Sequence, residues 1–199
     1  MNLKKKVFCA LDFSELDQTI RFTKKIKNHI GGIKIGLEFF CKNGPVGVER
    51  LKEFELPIFL DLKLHDIPNT VAKAFENLVN LSPDYLTVHL NGGRKMIKDL
   101  IKYKKKTKLI GVSMLTSLDQ NDLRESGIMC DEISYVEKLV KIGVSSGIDG
   151  VVSSPQEVKL LRKKFEKLIL VTPGIRLPND KKNDQKRIET PGRAIKNGS

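Results

Sequence analysis

Two aspartates and one lysine stand close together in the stretch FLDLKLHDIPNT, residues 59–70. Asp61 and Lys63 are two residues apart, and Asp66 follows Lys63 by three. Carboxylates beside a lysine favour its ammonium form, because an opposite charge stabilises the charged state. An ammonium group held in this way can donate a proton to a developing carbanion and stabilise it electrostatically beforehand. The spacing therefore favours proton-transfer chemistry at Lys63.

The same stretch is predicted to end a β-strand. Side chains in a strand alternate between its faces, so Asp61 and Lys63 should point together into the interior while Leu62 and Leu64 face a helical layer. Burying two opposite charges is costly unless they are used or fully paired. A purely structural ion-pair network is the alternative. The pattern Asp-x-Lys-x-x-Asp before a helix opened by Pro68 favours the functional interpretation.

Seven short apolar segments are predicted to be strands, with helical periodicity between them. The segments are 7–11, 33–37, 58–62, 85–90, 109–115, 150–153 and 168–172. The period is clearest in 71–79, where apolar residues recur at i, i+3, i+4, i+7 and i+8. Ser14, Pro68 and Ser154 are predicted to mark helix starts.

Alternating strands and helices imply a parallel sheet covered by helices, either doubly wound or closed into a barrel. No glycine-rich dinucleotide fingerprint follows the first strand, more than six βα units are present, and polar residues recur where strands end. These features favour an α/β fold of the TIM (β/α)8-barrel type. Only seven strands are predicted. Residues 190–197 should form the seventh helix, ending at Gly198, so the barrel is expected to lack its eighth strand.

The chain has 199 residues, of which 40% are hydrophobic and 30% charged, and its formal net charge is +12. This length and composition predict a single domain, residues 1–199, which would be an incomplete TIM barrel. The basic runs 4–6, 102–108 and 162–167 precede strand-like segments and carry no recognisable nucleic-acid-reading motif. A solvated lysine-rich surface is therefore favoured over nucleic-acid binding. The positive field would favour a small anionic substrate.

Neither a metal site, a disulfide framework nor a membrane span is predicted. The three cysteines, Cys9, Cys41 and Cys130, lack CxxC spacing, and no two histidines have helical ligand spacing. No segment reaches the roughly 18 uninterrupted apolar residues that a span needs. We expect a cytoplasmic protein with reduced thiols.

The stretch FLDLKLHDIPNT resembles, almost residue for residue, the signature of the orotidine 5′-phosphate decarboxylase family. Further similar segments follow in the family's order along the whole chain: ALDF (10–13), KIGLEFF (34–40), TVHLNGG (87–93), GVSMLTSLD (111–119), VTPGIR (171–176) and DQKR (184–187). The resemblance implies a carboxy-lyase of pyrimidine biosynthesis. It would convert orotidine 5′-phosphate to uridine 5′-phosphate (UMP) as a homodimer, without a cofactor or metal.

The resemblance also implies roles for individual residues. Lys63 would donate the proton to C6 of the pyrimidine, and Asp61 would lie against the substrate carboxylate. Asp66 would reach in from the other subunit to complete a charged array with Lys34. The other implied contacts are Asp12, Lys34 and the partner's Thr70 with the ribose hydroxyls, Thr116 with the pyrimidine, Arg176 with the phosphate, and Gln185 with phosphate and base. Residues 177–187 are expected to form a lid over the phosphate.

The sequence departs from the family at its C-terminal end. Family members continue beyond the equivalent of 196–199 into a final strand ending in Gly-Arg, whose arginine and backbone also hold the phosphate. Each lost charge-assisted hydrogen bond is worth about 1.5–3 kcal/mol. Without that strand, strands one and seven would present unpaired edges. We therefore expect a chain of these residues alone to be marginally stable and poorly active.

Two other interpretations remain. One is a lyase like 3-keto-L-gulonate 6-phosphate decarboxylase, which shares the Asp-x-Lys-x-x-Asp pattern but uses magnesium. The segments IPNT (67–70), TPGIR (172–176) and DQKR favour the orotidine enzyme. The other is a non-catalytic basic protein, either a degenerate barrel remnant or an RNA binder, for which strongly salt-dependent RNA binding would be expected.

Overall fold

Seven strands alternate with helices in a computed structural model that describes residues 3–177 and 188–199. The strands are β1 Phe8–Ala10, β2 Gly32–Ile35, β3 Ile58–Leu64, β4 Tyr85–His89, β5 Lys108–Val112, β6 Gly150–Val152 and β7 Ile169–Val171. The helices are α1 Leu16–Ile26, α2 Leu37–Lys52, α3 Pro68–Val79, α4 Gly93–Ile101, α5 Gln120–Glu125, α6 Glu132–Ser146, α7 Pro155–Lys164 and α8 Pro191–Lys196. Short 3₁₀ helices cover Leu3–Lys6 and Leu90–Gly92.

Each strand pairs in parallel with the next one along the chain, in the order β1 to β7. Within the described ranges, β1 and β7 are not paired with each other, so the curled sheet is open between its first and last strands. The predicted TIM-type barrel with seven strands is confirmed. The loops that follow the strands lie together at the carboxyl end of the barrel, which we call the mouth. Barrel enzymes carry their active sites at this end.

The core has two apolar layers. Side chains such as Phe39, Phe75 and Leu60 are fully buried between the sheet and the surrounding helices. Inside the barrel, Phe8, Phe59 and Tyr85 pack edge to face, with ring centroids 5.5–6.3 Å apart. Because Phe59 precedes Asp61 by two residues on the same face of β3, this aromatic layer lies beneath the polar mouth.

The predicted helix boundaries are mostly confirmed. Pro68 opens α3, and the Ser154 hydroxyl caps α7 by accepting a hydrogen bond from the Gln156 N–H at 3.2 Å. The last helix ends as predicted, before Gly198 with its φ of 108°. The start predicted at Ser14 was wrong.

Helix α1 begins at Leu16, with Glu15 as its N-cap residue. The Ser14 hydroxyl instead donates to Glu38 on α2, at 2.8 Å, so a tertiary partner has replaced the local cap. In the part of the chain that the structure describes, no helix is both long enough and apolar enough to cross a membrane.

Candidate active site

Strand β3 ends in an irregularity that determines where Lys63 points. The pairing with β4 shifts between Leu60 and Leu64, so that residues 61–63 lie opposite Thr87 alone. Lys63 adopts a φ of 49°, in the left-handed region, where a non-glycine residue costs about 1–3 kcal/mol. Bulges beside active sites commonly re-aim a side chain. Here the ammonium group is brought onto the carboxylate of Asp61.

Four charged side chains form an alternating array at the mouth. The Lys63 ammonium donates to Asp61 Oδ2 at 2.8 Å. The Lys34 ammonium, from β2, lies 3.5 Å from the same oxygen and 3.7 Å from Asp12 Oδ1, just beyond β1. The Asp61 side chain is only 12% exposed, against 30% for Lys63 and 62% for Asp12. The structure thus places a nearly buried carboxylate between two ammonium groups that reach toward the opening.

Asp66 and Thr70 stand apart from this array within one chain. Asp66 is exposed in the loop after β3, where its Oδ1 accepts a hydrogen bond from the Ile67 N–H at 2.6 Å. It forms no ion pair with any residue in 3–177 or 188–199. Thr70 is exposed in the first turn of α3. The resemblance places both residues in the neighbouring subunit's site, and that expectation stays a prediction.

The remaining predicted site residues lie in loops after other strands. Thr116 is buried between β5 and α5. Arg176 is half-buried beyond β7. Its guanidinium donates to the Ile175 carbonyl at 2.9 Å, and its backbone N–H donates to the Glu189 carbonyl at 3.0 Å. Both residues follow carboxyl ends of strands and so belong to the same mouth as Lys63. Gln185 and nearly all of the predicted lid lie outside the described residues.

Two histidines and a cysteine adjoin the array. The rings of His65 and His89 are 5.4 Å apart. Burial lowers the pKa of His89, and electrostatic interactions with His65 and Lys63 lower it further. Burial likewise raises the pKa of the Cys9 thiol, and nearby Asp12 adds to that rise. Both shifts favour the neutral form, so the His89 ring and the Cys9 thiol are uncharged at neutral pH.

Sequence reasoning did not single out Thr87, which is fully buried on β4 and contacts both members of the Asp61–Lys63 pair. The only available signal was its place in the segment TVHLNGG, which does not reveal the bulge opposite. Among the described residues, no group of three or more His, Cys, Asp or Glu is arranged to hold a metal ion.

A parallel α/β barrel with paired carboxylates and ammonium groups at the carboxyl ends of its strands defines a TIM-barrel enzyme whose chemistry depends on charged side chains. The model of the family described as "Orotidine 5'-phosphate decarboxylase / HUMPS family" matches residues 5–199. The chain therefore belongs to this family.

Individual relatives agree. An orotidine 5′-phosphate decarboxylase of Sphingopyxis alaskensis is 45% identical over 194 residues, which cover 97% of this chain and 87% of the relative. That of Wolbachia pipientis subsp. Culex pipiens is 42% identical over 196 residues, covering 97% and 86%. The crystal structure of the orotidine 5′-phosphate decarboxylase from Lactobacillus acidophilus matches with a TM-score of 0.84 at 34% identity, over 97% of this chain and 86% of that one.

Proposed function

We propose that this protein decarboxylates orotidine 5′-phosphate to uridine 5′-phosphate in pyrimidine biosynthesis. The observation that carries the proposal is the Lys63 ammonium, held 2.8 Å from Asp61 at the barrel mouth. The chain is also 45% identical to a relative named orotidine 5′-phosphate decarboxylase. Breaking the bond between C6 and the carboxyl group releases carbon dioxide and leaves an electron pair on C6. The Lys63 ammonium gives its proton to that carbon and becomes a neutral amine, which solvent then reprotonates.

The array supplies the electrostatics of this step. A carbanion on an sp² carbon needs positive charge that is already in place, because reorganising solvent around it would raise the barrier. Lys63 is held in place by Asp61, which is in turn flanked by Lys34. In the proposed complex, Asp61 lies against the substrate carboxylate. Binding energy from the distant phosphate contributes to holding the pyrimidine in this arrangement.

The substrate's other groups match the remaining predicted residues. Asp12 and Lys34 provide an acceptor and a donor for ribose hydroxyls, and they already lie 3.7 Å apart. Thr116 is assigned to the pyrimidine ring. The planar guanidinium of Arg176 suits a phosphate, to which it can donate two parallel hydrogen bonds. Gln185 is assigned to the phosphate and base.

The proposal is tested by the loss of ultraviolet absorbance of orotidine 5′-phosphate in the presence of the protein. We expect turnover that persists in excess EDTA, because every proposed step uses side chains of this chain. The Sphingopyxis alaskensis relative, assayed in parallel, shows that the conditions are suitable. Turnover by the relative but none by this protein would contradict the proposal. Activity abolished by EDTA and restored by magnesium would favour the gulonate-phosphate type of lyase instead.

We also propose that two copies of the chain share their active sites, with Asp66 and Thr70 of the partner subunit completing each one. The support is that Asp66 is exposed and free of ion pairs among the described residues, although it belongs to the charged signature. The adjoining Ile67 is 68% exposed, and Leu37 at the start of α2 is 56% exposed. Apolar side chains exposed beside a charged mouth suit burial in an interface between subunits.

Mixing two inactive variants tests this shared site. Lys63→Ala and Asp66→Ala subunits, unfolded together and refolded in equal amounts, should form heterodimers in half of the pairings. Each heterodimer has one site with both native residues, so activity should recover to about a quarter of the native value by random pairing. The control mixes Lys63→Ala with the Lys63→Ala/Asp66→Ala double variant and should recover nothing. Activity equal to the mean of the separate variants would show that each site is built within one chain.

A further inference from the structure

Thr87 is linked to both members of the central ion pair. Its hydroxyl accepts a hydrogen bond from the Lys63 backbone N–H at 2.8 Å and donates one to Asp61 Oδ1 at 3.2 Å. These directions are fixed, because an N–H only donates and a carboxylate only accepts. One hydroxyl therefore uses its single proton on Asp61 and a lone pair on Lys63.

The contact with Lys63 supports a backbone conformation that is otherwise unfavourable. Left-handed φ values at non-glycine residues persist only where the surroundings hold them. Because residues 61–63 lie opposite Thr87 alone, the regular ladder between β3 and β4 is interrupted there. The Thr87 hydroxyl takes the place of a ladder carbonyl as the acceptor for the Lys63 N–H.

The contact with Asp61 fixes the plane of its carboxylate. Thr87 binds Oδ1, whereas the Lys63 ammonium binds Oδ2 at 2.8 Å and Lys34 lies 3.5 Å from Oδ2. With one oxygen held from β4 and the other facing both lysines, rotation of the carboxylate would break at least one of these contacts. Thr87 therefore fixes both partners of this ion pair: the carboxylate of Asp61 through Oδ1, and Lys63 through its backbone N–H.

We propose that Thr87 is a positioning residue for the proton transfer from Lys63. It is fully buried, so it acts through Asp61 and Lys63 and not on the substrate. This inference rests on the proposed decarboxylase function. Misplacing a reacting group by about 1 Å can cost up to roughly a hundredfold in rate, so a hydroxyl that holds Lys63 can influence kcat without contributing to binding.

The test compares Thr87→Val, which keeps the shape and loses the hydroxyl, with Thr87→Ser, which keeps the hydroxyl. Thr107→Val is the matched control. Thr107 is also buried, and its hydroxyl donates to the Pro83 carbonyl at 2.8 Å, at the opposite end of the barrel before β5. Each valine variant removes one buried, hydrogen-bonded hydroxyl, with two hydrogen bonds lost at Thr87 and one at Thr107. Both variants should therefore lower the melting temperature.

We expect kcat of Thr87→Val to fall about tenfold while KM stays within about twofold, with Thr87→Ser within about threefold of the native kcat. Thr107→Val should keep the native kcat. If Thr87→Val does not fold, Thr87→Cys replaces it. Because a thiol forms only weak hydrogen bonds, the kcat of Thr87→Cys should lie below that of Thr87→Ser and above one tenth of the native value.

Several outcomes would overturn the inference: a native kcat in Thr87→Val, an equal loss in Thr107→Val, a loss in Thr87→Ser as large as in Thr87→Val, or, where cysteine is the variant tested, a kcat equal to that of Thr87→Ser. The decarboxylase proposal is judged separately, on the unsubstituted protein. Turnover by that protein together with an unaffected Thr87→Val would refute only the positioning role.

Discussion

Replacing Lys63 by alanine is expected to lower kcat for orotidine 5′-phosphate decarboxylation by roughly 10⁴-fold. General acid catalysis contributes about 10²–10⁴-fold, and a preorganised charge beside a developing anion about 10²–10³-fold. Both effects reside in one ammonium group here, so they are lost together and do not simply multiply. KM should change far less, because Lys34 and Arg176 remain. The measurement is the ultraviolet assay under saturating substrate.

Two further variants make this result interpretable. Lys141→Ala removes an exposed lysine that pairs with Glu137 on α6, and it should leave kcat unchanged. Lys63→Arg keeps a positive charge beside Asp61 but cannot give up its proton, since a guanidinium stays protonated in proteins. Comparing Lys63→Arg with Lys63→Ala therefore separates charge from proton donation. If Lys63→Ala kept kcat within tenfold of the native value, Lys63 would not be the proton donor.

The sequence predicted the fold well because its signals are local and repeated. All seven predicted strands are present, with ends shifted by up to three residues. Apolar segments buried on both faces, separated by 3.6-residue periodicity, leave few alternatives to a parallel sheet under helices. The additional helix α5 was not predicted. It is short and is held by a capping box between Asp119 and Asp122, and no apolar period marks it.

The site was predicted less completely, because its geometry depends on how β3 and β4 pair with each other. Asp61 and Lys63 were expected to meet because side chains alternate along a strand, and the structure does bring them together. Regular alternation is not the cause, since the strand bulges between them and Lys63 takes a left-handed φ. A bulge depends on the pairing of two strands, which the pattern of one strand does not encode. The importance of Thr87 could not be recognised for the same reason.

The opening between β7 and β1 leads to the second large expected effect. The Ser199 hydroxyl lies 2.7 Å from the Thr172 hydroxyl just beyond β7, and its carbonyl accepts a hydrogen bond from the Lys6 ammonium, before β1, at 3.0 Å. Arg162 on α7 holds the Gly198 carbonyl with two hydrogen bonds of 2.8 and 3.1 Å. Residues 197–199 thus sit at the opening, where a following strand could pair with both edges.

The resemblance implies that the Sphingopyxis alaskensis relative has a final C-terminal strand. We expect that joining Ser199 to that segment stabilises a polypeptide of these 199 residues. Each ladder hydrogen bond contributes about 0.5–1.5 kcal/mol net, so about four new bonds give about 2–6 kcal/mol. In a chain of about 200 residues, 1 kcal/mol corresponds to about 2–4 °C. The melting temperature should therefore rise by about 10 °C, as measured by thermal unfolding followed by circular dichroism.

The resemblance implies that this segment carries a further arginine for the phosphate, and such a contact contributes about 1.5–3 kcal/mol. We therefore expect the same extension to lower KM for orotidine 5′-phosphate by roughly tenfold or more. Replacing that arginine by alanine in the extension should keep the gain in melting temperature and remove the gain in KM. A proline-substituted extension, which cannot complete the ladder, should give neither. Equal melting temperatures and KM values with and without the extension would contradict both expectations. The gap between β7 and β1 would then lower neither the stability of this chain nor its affinity for the substrate.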